Sequence, residues 1–432
     1  MPTYLDTLEY LFSLHRFGVK LGLEAITDIL QRLENPHRRY ATLHIAGTNG
    51  KGSTAAMLAA MLQGGGYRVG LYTSPHLMDF RERIRVQDED ISEACVCELT
   101  DRIRHAAHPL SSLTFFELAT AMAFQHFLDQ QVDIVIVEVG MGGRFDATNV
   151  LDPLGVLITG IGLDHETYLG QSIQAIAREK AGIIRQPAPI VLGPMPEGVK
   201  EIFENKARSY HAPLYRFGLE FSLLETSSRE FSYYGPKWTL PGIQTCLRGR
   251  HQMENAANAL ALLESAVQDH FPLSPEAIQL GLQHVRWKGR LELIQRDPII
   301  ILDGAHNPLG ARVLFDFLQS QIHDCPGRRL IMVVGMMVDK NHREFLSVLL
   351  PIMDCLILTQ TRMARAASVD DLKKGVNRKD LHCLNIADSW EALGKAKEMA
   401  NSSDLICMTG SLFLVGEILK HFSRSVSPTI QL

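Results

Sequence analysis

Short apolar runs alternate with longer helical stretches along most of this chain, and that alternation constrains its fold more than any other feature. Apolar runs stand at 68–72, 134–139, 154–159 and 189–192, with helical patterns at 92–107, 115–128 and 172–181 between them. Strands separated by helices pair in parallel, with helices covering the sheet faces. The alternation resumes in the last third, with apolar runs at 299–302, 330–334, 355–359 and 405–408. Helical patterns at 311–320, 343–350, 389–399 and 412–419 separate these runs. A change of character at 286–298 predicts a boundary between two α/β units. One region departs from the rule. Short alternating segments rich in Ser, Tyr and Gly at 219–240 predict an antiparallel insertion, and helices resume at 252–266 and 275–282.

The stretch HIAGTNGKGSTAAML, His44 to Leu58, gives the first unit a chemistry. Leu43, Ile45 and Ala46 read as a strand, and Ser53 onward reads as a helix that Gly64-Gly65-Gly66 stops. A glycine turn between strand and helix leaves backbone N–H groups free at a positive helix end, which suits a phosphate. Lys51 adds a mobile charge for terminal phosphates. The loop departs from the standard nucleotide-binding pattern, because Ile45 stands four residues before the Gly-Lys pair and Gly52 follows the lysine. The hydroxyl that usually holds magnesium is therefore displaced, and another group must hold the metal. The fold class expected is α/β, with a P-loop-type, mostly parallel ATPase domain over 1–290 and a smaller Rossmann-like domain over 291–432.

Composition narrows the partners. A formal charge of −5 argues against a general nucleic-acid or acidic-membrane binder, so an anionic ligand must be met by local cations. No run approaches the roughly 18 apolar residues of a membrane helix. The start, MPTYLDTLEY, lacks a basic segment followed by an apolar one. The seven cysteines form no CxxC pair, so zinc is not expected and reduced thiols in a cytoplasmic protein are.

In parallel α/β sheets function gathers at the carboxyl ends of strands. Ser74 and His76 follow one strand, Glu138 ends another, and Asp164-His165 follow a third. Gly140, Gly142 and Gly143 beside Glu138 suggest close approach of a ligand. Ser74, Glu138 and His165 could supply the metal ligands that Gly52 withholds. Magnesium takes few protein ligands together with waters and phosphate oxygens, and fits such a set. Spacing alone leaves Lys180, late in a helical stretch, as an ordinary solvent-facing lysine.

Eleven blocks carry a resemblance to a known family: GTNGKGS, SPHL, TFFE, EVGMGGRFDATN, GLDH, REKAGII, GRHQMENA, WKGRLE, DGAHNP, GMMVDK and GSLFLVGE. In this order, from Leu5 to about Glu417, the chain resembles the bacterial dihydrofolate synthase/folylpolyglutamate synthases of the Mur ligase superfamily. The resemblance implies an ATP phosphate loop at Thr48, Asn49, Gly50, Lys51, Gly52 and Ser53, with Lys51 catalytic. It implies nucleotide contacts from Asn255, Arg290 and Asp303, and a place for His306 near the incoming glutamate. Ser74, Glu138 and His165 match the family's magnesium ligands, and Lys180 matches a lysine that the family carbamylates. A desolvated amine gives up its proton more readily and can then add carbon dioxide, producing an anionic ligand for a second magnesium. Thr114, Phe115, Phe116 and Glu117 match one part of the pterin-substrate site, and Phe145, Asp146 and Ala147 match another. Phe115 and Phe116 would offer flat apolar faces to a pteridine ring; a helix-start pair of this kind is also ordinary core. Two departures stand out: Lys288 where proline is frequent, and Gln87-Asp88 in place of an Asn-Gly turn in a loop near the substrate.

The expected reaction is an ATP-dependent ligation of L-glutamate to dihydropteroate and to the γ-carboxyl of reduced folates through an acyl phosphate, by a monomer. Three rivals remain open. A monofunctional folylpolyglutamate synthase would act on reduced folates alone. A cell-wall ligase of the same superfamily would be expected to carry a nucleotide-sugar domain ahead of the loop, where only about forty residues stand. A regulatory P-loop NTPase would leave the second unit and DGAHNP without a use.

Overall fold

The computed structural model describes residues 2–14, 22–107 and 113–425. Contacts divide the chain into two compact units. Met1–Gly162, Glu166–Cys246 and His251–Arg286 form the first, and Leu163–His165, Leu247–Arg250 and Trp287–Leu432 form the second.

The first unit is built on β1 (Ala41–Ala46), β2 (Val69–Tyr72), β3 (Ile84–Val86), β4 (Glu89–Asp90), β5 (Ile134–Glu138), β6 (Gly155–Ile158), β7 (Ile190–Leu192) and β8 (Leu214–Arg216). These strands form one sheet in the order β4-β3-β2-β5-β1-β6-β7-β8. Pairing is parallel from β2 to β8, and the β2–β3 and β3–β4 pairs are antiparallel. The central strands are apolar on both faces because helices cover both, and every residue of β5 is buried. Val135 and Val137 pack among residues of helices Glu24–Arg32, Glu93–Ala106 and Phe115–Asp129. Strand alternation turns Ile134, Ile136 and Glu138 to the opposite face, and helix Lys51–Gly64 packs on this part of the sheet. The short β8, half-buried throughout at the sheet edge, carries no continuous apolar run and escaped the sequence pattern.

The β3–β4 connection shows where Gln87-Asp88 sits: it is the tight turn of an edge hairpin rather than a long loop. Gln87 and Asp88 have φ of 54° and 63°, the left-handed geometry that such a turn requires at both central positions. The Gln87 side-chain oxygen accepts from Val69 N at 2.9 Å, which satisfies the first donor of β2 and accounts for glutamine there. Asp88 makes no comparable return for its strained backbone. Asp88→Gly should therefore raise stability by about 1 kcal/mol, seen as a higher urea midpoint at unchanged slope. An unchanged midpoint would show that the turn carries no strain.

The predicted antiparallel insertion is β9 (Ser222–Ser227), β10 (Glu230–Tyr234) and β11 (Thr239–Gln244), with β10 in the middle. The helix expected at 252–266 runs over Arg250–Leu262 and then widens into a π-helical turn, Leu263–Val267. Glu264 in that turn accepts from the Tyr233 hydroxyl at 2.7 Å and from the backbone N–H groups of Lys237 and Trp238, which ties the small sheet to the helix.

The second unit contains β12 (Glu292–Arg296), β13 (Ile299–Leu302), β14 (Leu330–Val334), β15 (Cys355–Gln360), β16 (His382–Asp388) and β17 (Leu405–Thr409), in the order β12-β13-β17-β14-β15-β16. β12 pairs antiparallel with β13, and the other pairs are parallel. Helices Pro308–His323, His342–Leu349, Ser389–Met399 and Leu412–Ser425 alternate with these strands, as a doubly wound sheet requires. No helix among the described residues is long and apolar enough to cross a membrane.

Candidate active site

The loop after β1 is shaped by its own bonds. Gly47 has φ 145°, and a Cβ there would stand 1.9 Å from the Thr159 hydroxyl oxygen, so no side chain fits. The Thr48 hydroxyl donates to Gly162 O at 3.1 Å and accepts from Gly162 N at 3.0 Å. The Thr159 hydroxyl donates to Asn49 O at 2.6 Å. Gly50, in the left-handed region, caps the helix that begins at Lys51, two residues earlier than the sequence pattern placed it. The Lys51 ammonium folds over the loop and donates to Gly47 O and Thr48 O, both at 3.1 Å. Helix Arg250–Leu262 closes one side: a Cβ on Gly50 would stand 2.5 Å from the Asn255 side-chain oxygen, and Gln252 donates to the Ser53 hydroxyl at 3.4 Å. The structure thus brings Thr48, Asn49, Gly50, Lys51, Gly52, Ser53 and Asn255 together around a helix N-terminus suited to phosphate.

Glu138 ends β5 beside this loop, opposite Ile45 in the β1–β5 register. Its carboxylate is buried, and Oε2 accepts from Ser74 N at 3.1 Å, so the two residues stand together at neighbouring strand ends. Lys180 also reaches the loop: its buried amine donates to Gly47 O at 2.8 Å. The expectation of a solvent-facing helical lysine, drawn from spacing alone, is corrected by this burial. The nearby glycines need a second correction. A Cβ on Gly140 would stand 2.4 Å from the Phe116 ring, and one on Gly143 would stand 2.9 Å from Glu179 O and 3.1 Å from Lys180 Cα. These glycines admit an aromatic ring and the Lys180 helix, both parts of the protein rather than a ligand.

Among the described residues no three His, Cys, Asp or Glu side chains are grouped as a metal cluster. Of the expected ligands, Glu138 and Ser74 stand together beside the loop, and the side chains of both offer oxygen. This set fits a hard cation such as magnesium, which completes its shell with waters and phosphate oxygens, and does not fit zinc.

The TFFE segment divides its roles. Thr114 and Glu117 form a reciprocal helix cap, with Thr114 N and its hydroxyl both donating to Glu117 Oε2 at 2.8 Å. Phe115 is buried, with Phe12 stacked at 5.7 Å and the Arg83 guanidinium 5.2 Å from its ring centroid. Phe116 is half-buried, and Phe145 is 42% exposed. Asp146 is buried; burial pushes its carboxyl pKa up, against hydrogen bonds from Thr148, Met141 and Gly140 that favour the anion. Ala147 is buried beside it.

Arg83 was missed by the sequence reading. Its guanidinium is buried, donates through Nε to His76 Nδ1 at 2.9 Å and lies near the Glu138 and Glu82 carboxylates. No local signal marks its burial, because three of the five residues of ERIRV are charged and an arginine there reads as a surface residue.

In the second unit the Asp303 carboxylate accepts from Leu291 N and Ala305 N, both at 2.9 Å. Burial raises its pKa, and the Arg290 charge opposes the rise. Arg290 donates to Gly289 O at 3.1 Å. His306 Nδ1 lies 2.8 Å from Gly304 O, an atom that can only accept, so Nδ1 holds the proton. Its Nε2 stands 3.3 Å from Asp164 and can donate there when the ring is cationic. Asp164 also accepts from Lys340 Nζ at 2.7 Å and Asn307 Nδ2 at 3.0 Å. Burial would raise the Asp164 pKa, but His306, His165 and Lys340 hold it far below the usual carboxylate range. His165 follows in the left-handed region with φ 51°. Lys340 and Asn307 were missed as individual residues, although GMMVDK and DGAHNP contain them.

Residues 45–263 match the Mur ligase middle domain, and residues 289–412 match the Mur ligase glutamate ligase domain. Over 428 residues the chain is 32% identical to a Bacillus subtilis dihydrofolate synthase/folylpolyglutamate synthase, covering 96% of this chain and 98% of that one. A Yersinia pestis bifunctional folylpolyglutamate synthase/dihydrofolate synthase, solved with AMPPNP and Mn ion, superposes with a TM-score of 0.89 at 33% identity over 98% of both chains. Escherichia coli FolC, solved with DHPP and ADP, superposes with a TM-score of 0.89 at 30% identity over 99% of this chain and 100% of that one.

Proposed function

This chain belongs to the dihydrofolate synthase/folylpolyglutamate synthases of the Mur ligase family, and we propose that it joins L-glutamate to dihydropteroate and to the γ-carboxyl of reduced folates, driven by ATP. The observation that carries this reading is the likeness along nearly the whole chain to enzymes of both named activities, at identities of 30% and above. The phosphate-type loop of the first unit agrees with it.

A carboxylate is a poor acyl donor because its leaving group would be oxide. Attack of the substrate carboxylate oxygen on the γ-phosphorus of ATP breaks the bond to the bridging oxygen, forming an acyl phosphate and ADP. The neutral amine of glutamate then attacks the acyl carbon, phosphate leaves, and the ammonium proton is lost to give the amide. The loop N–H groups and Lys51 hold the phosphates and offset charge on the transferring group. Asn255, Arg290 and Asp303 contact the nucleotide, and His306 lies near the incoming glutamate. Phe116, Phe145 and Asp146 contact the pterin part, with Thr114, Phe115, Glu117 and Ala147 forming the wall behind. Ser74, Glu138, His165 and Lys180 would hold magnesium, which would supply Lewis-acid stabilisation of phosphate charge. For Lys180 to serve there its neutral amine adds carbon dioxide, forming an N–C bond and releasing one proton. The enzyme works as a monomer in the cytoplasm, in keeping with its scattered free cysteines.

ADP release should require both an acid substrate and glutamate, and should occur with dihydropteroate and with tetrahydrofolate in separate assays. Release with tetrahydrofolate alone would reduce the function to folylpolyglutamate synthesis. ATP turnover without acid or glutamate would overturn the ligase reading.

A further inference from the structure

His44 lies in the middle of β1, three residues before the loop, and the mechanism gives it no task. Its side chain is buried, and Nε2 stands 2.8 Å from the Thr148 hydroxyl oxygen. That hydroxyl donates in turn to Asp146 Oδ1 at 2.5 Å, and Thr148 N donates to the same oxygen at 3.0 Å. The other Asp146 oxygen, Oδ2, accepts from Met141 N at 2.9 Å.

The proton count gives the chain one direction. A threonine hydroxyl has a single proton. With that proton on the Asp146 carboxylate, the Thr148 oxygen can only accept from His44. The imidazole must therefore carry its proton on Nε2. Burial, with the Arg185 charge adding to it, lowers the His44 pKa to about 3, so the ring stays neutral at physiological pH and donates one proton in a fixed direction. A buried carboxylate tends to take up a proton. Charge-assisted donors counter that tendency and fix the plane of the group.

We propose that His44 and Thr148 are positioning residues for substrate recognition, a donor relay from the strand of the phosphate loop that keeps Asp146 an ionised, oriented acceptor for a ligand with an N–H edge. The amino-pyrimidinone edge of a pterin has that chemistry, with an exocyclic amine beside a ring N–H. The relay rests on the reading of Asp146 as a pterin contact. It adds the reason that a carboxylate pushed toward neutrality by burial can still accept from the substrate. A protonated Asp146 would give up part of its acceptor capacity, and without the hydroxyl its plane would be free to turn.

The test is steady-state kinetics on full-length Thr148→Val, Thr148→Ser and His44→Gln, with wild type as control. Valine keeps the shape and removes the hydroxyl; serine restores it; glutamine retains an N–H donor. Thr148→Val should raise KM for dihydropteroate at least about tenfold, leave KM for ATP within about twofold and hold kcat within about threefold, since only ground-state substrate contacts change. Thr148→Ser should return KM to within about threefold of wild type, and His44→Gln should lie between. Direct titration of dihydropteroate without ATP should show the same order. An unchanged dihydropteroate KM in Thr148→Val overturns the relay, as does an equal loss for ATP and dihydropteroate with a falling melting temperature, which marks a merely structural role. Should Thr148→Val prove too unstable to assay, His44→Gln is titrated directly with dihydropteroate, and an affinity equal to that of wild type overturns the relay. Wild type that turns over ATP and glutamate only with an acid lacking a pterin overturns the pterin assignment, and the relay with it; wild type that uses tetrahydrofolate but not dihydropteroate is compared with the variants on tetrahydrofolate, with the same outcomes deciding.

Discussion

Lys180→Ala should lower ligase turnover by at least about a thousandfold while the protein stays folded, because an anionic oxygen ligand for a metal ion would be removed from beside the phosphates. The buried amine touching Gly47 O shows why such an effect is expected at a residue that looks ordinary in sequence. A carbamate on this nitrogen would face the same loop that is to hold the nucleotide. A plain ammonium there would repel any cation that Glu138 attracts. If a carbamate is what the variant lacks, acetate or formate should restore part of the activity. The proposed carbamate would itself be observable. Wild type equilibrated with 13C-bicarbonate at neutral pH should show a carbamate resonance that Lys180→Ala lacks. Acidified samples cannot report it, because acid decomposes carbamates. Full activity of the unrescued variant, or an active wild type without that resonance, would return Lys180 to a packing role.

Glu138→Gln should cost at least about a hundredfold in turnover. Glutamine keeps the shape and one oxygen of the side chain but removes its charge. The variant should stay folded, although the buried Arg83 loses a nearby opposite charge and the melting temperature can fall. A loss of turnover in protein that is still folded at the assay temperature therefore separates a metal ligand from a structural acid. Activity should recover partly at high magnesium if the remaining donors still bind the ion weakly. Near-normal turnover at ordinary magnesium would remove Glu138 from the metal site.

The parts of the fold that were legible in sequence are those buried on both faces. β14 is an unbroken apolar run and β5 is one up to its final Glu138, as expected of strands covered by helices on both sides. The edge strands β8, β12 and β16 are half-buried and mixed in composition, so no run or clean alternation marks them. The site divides along another line. The Gly-Lys loop could be read because its parts are contiguous, and Glu138 because a charge at the end of an apolar strand is conspicuous. Lys180 could not be read from spacing, because its burial is decided by a loop more than a hundred residues away. Thr148 escaped for the same reason, since His44 stands 104 positions away, and Lys340 reaches Asp164 across 176 positions. Local pattern records which face of an element is apolar; it does not record which distant polar atom will meet it.

The bonds that shape the phosphate loop bear on the thermodynamics of nucleotide capture. Thr48 and Gly162 exchange two hydrogen bonds, Thr159 clasps the Asn49 carbonyl, and Gly47 fits where no side chain could. Fixing one backbone residue costs roughly 1–2 kcal/mol of conformational entropy. In this loop much of that cost is met when the chain folds rather than when the ligand arrives. More of the contact energy with the phosphates then remains for affinity and for the transferring group. The same clasp makes the loop a poor place for adjustment: a ligand must fit the arrangement it finds, and selectivity for a polyphosphate is set at folding.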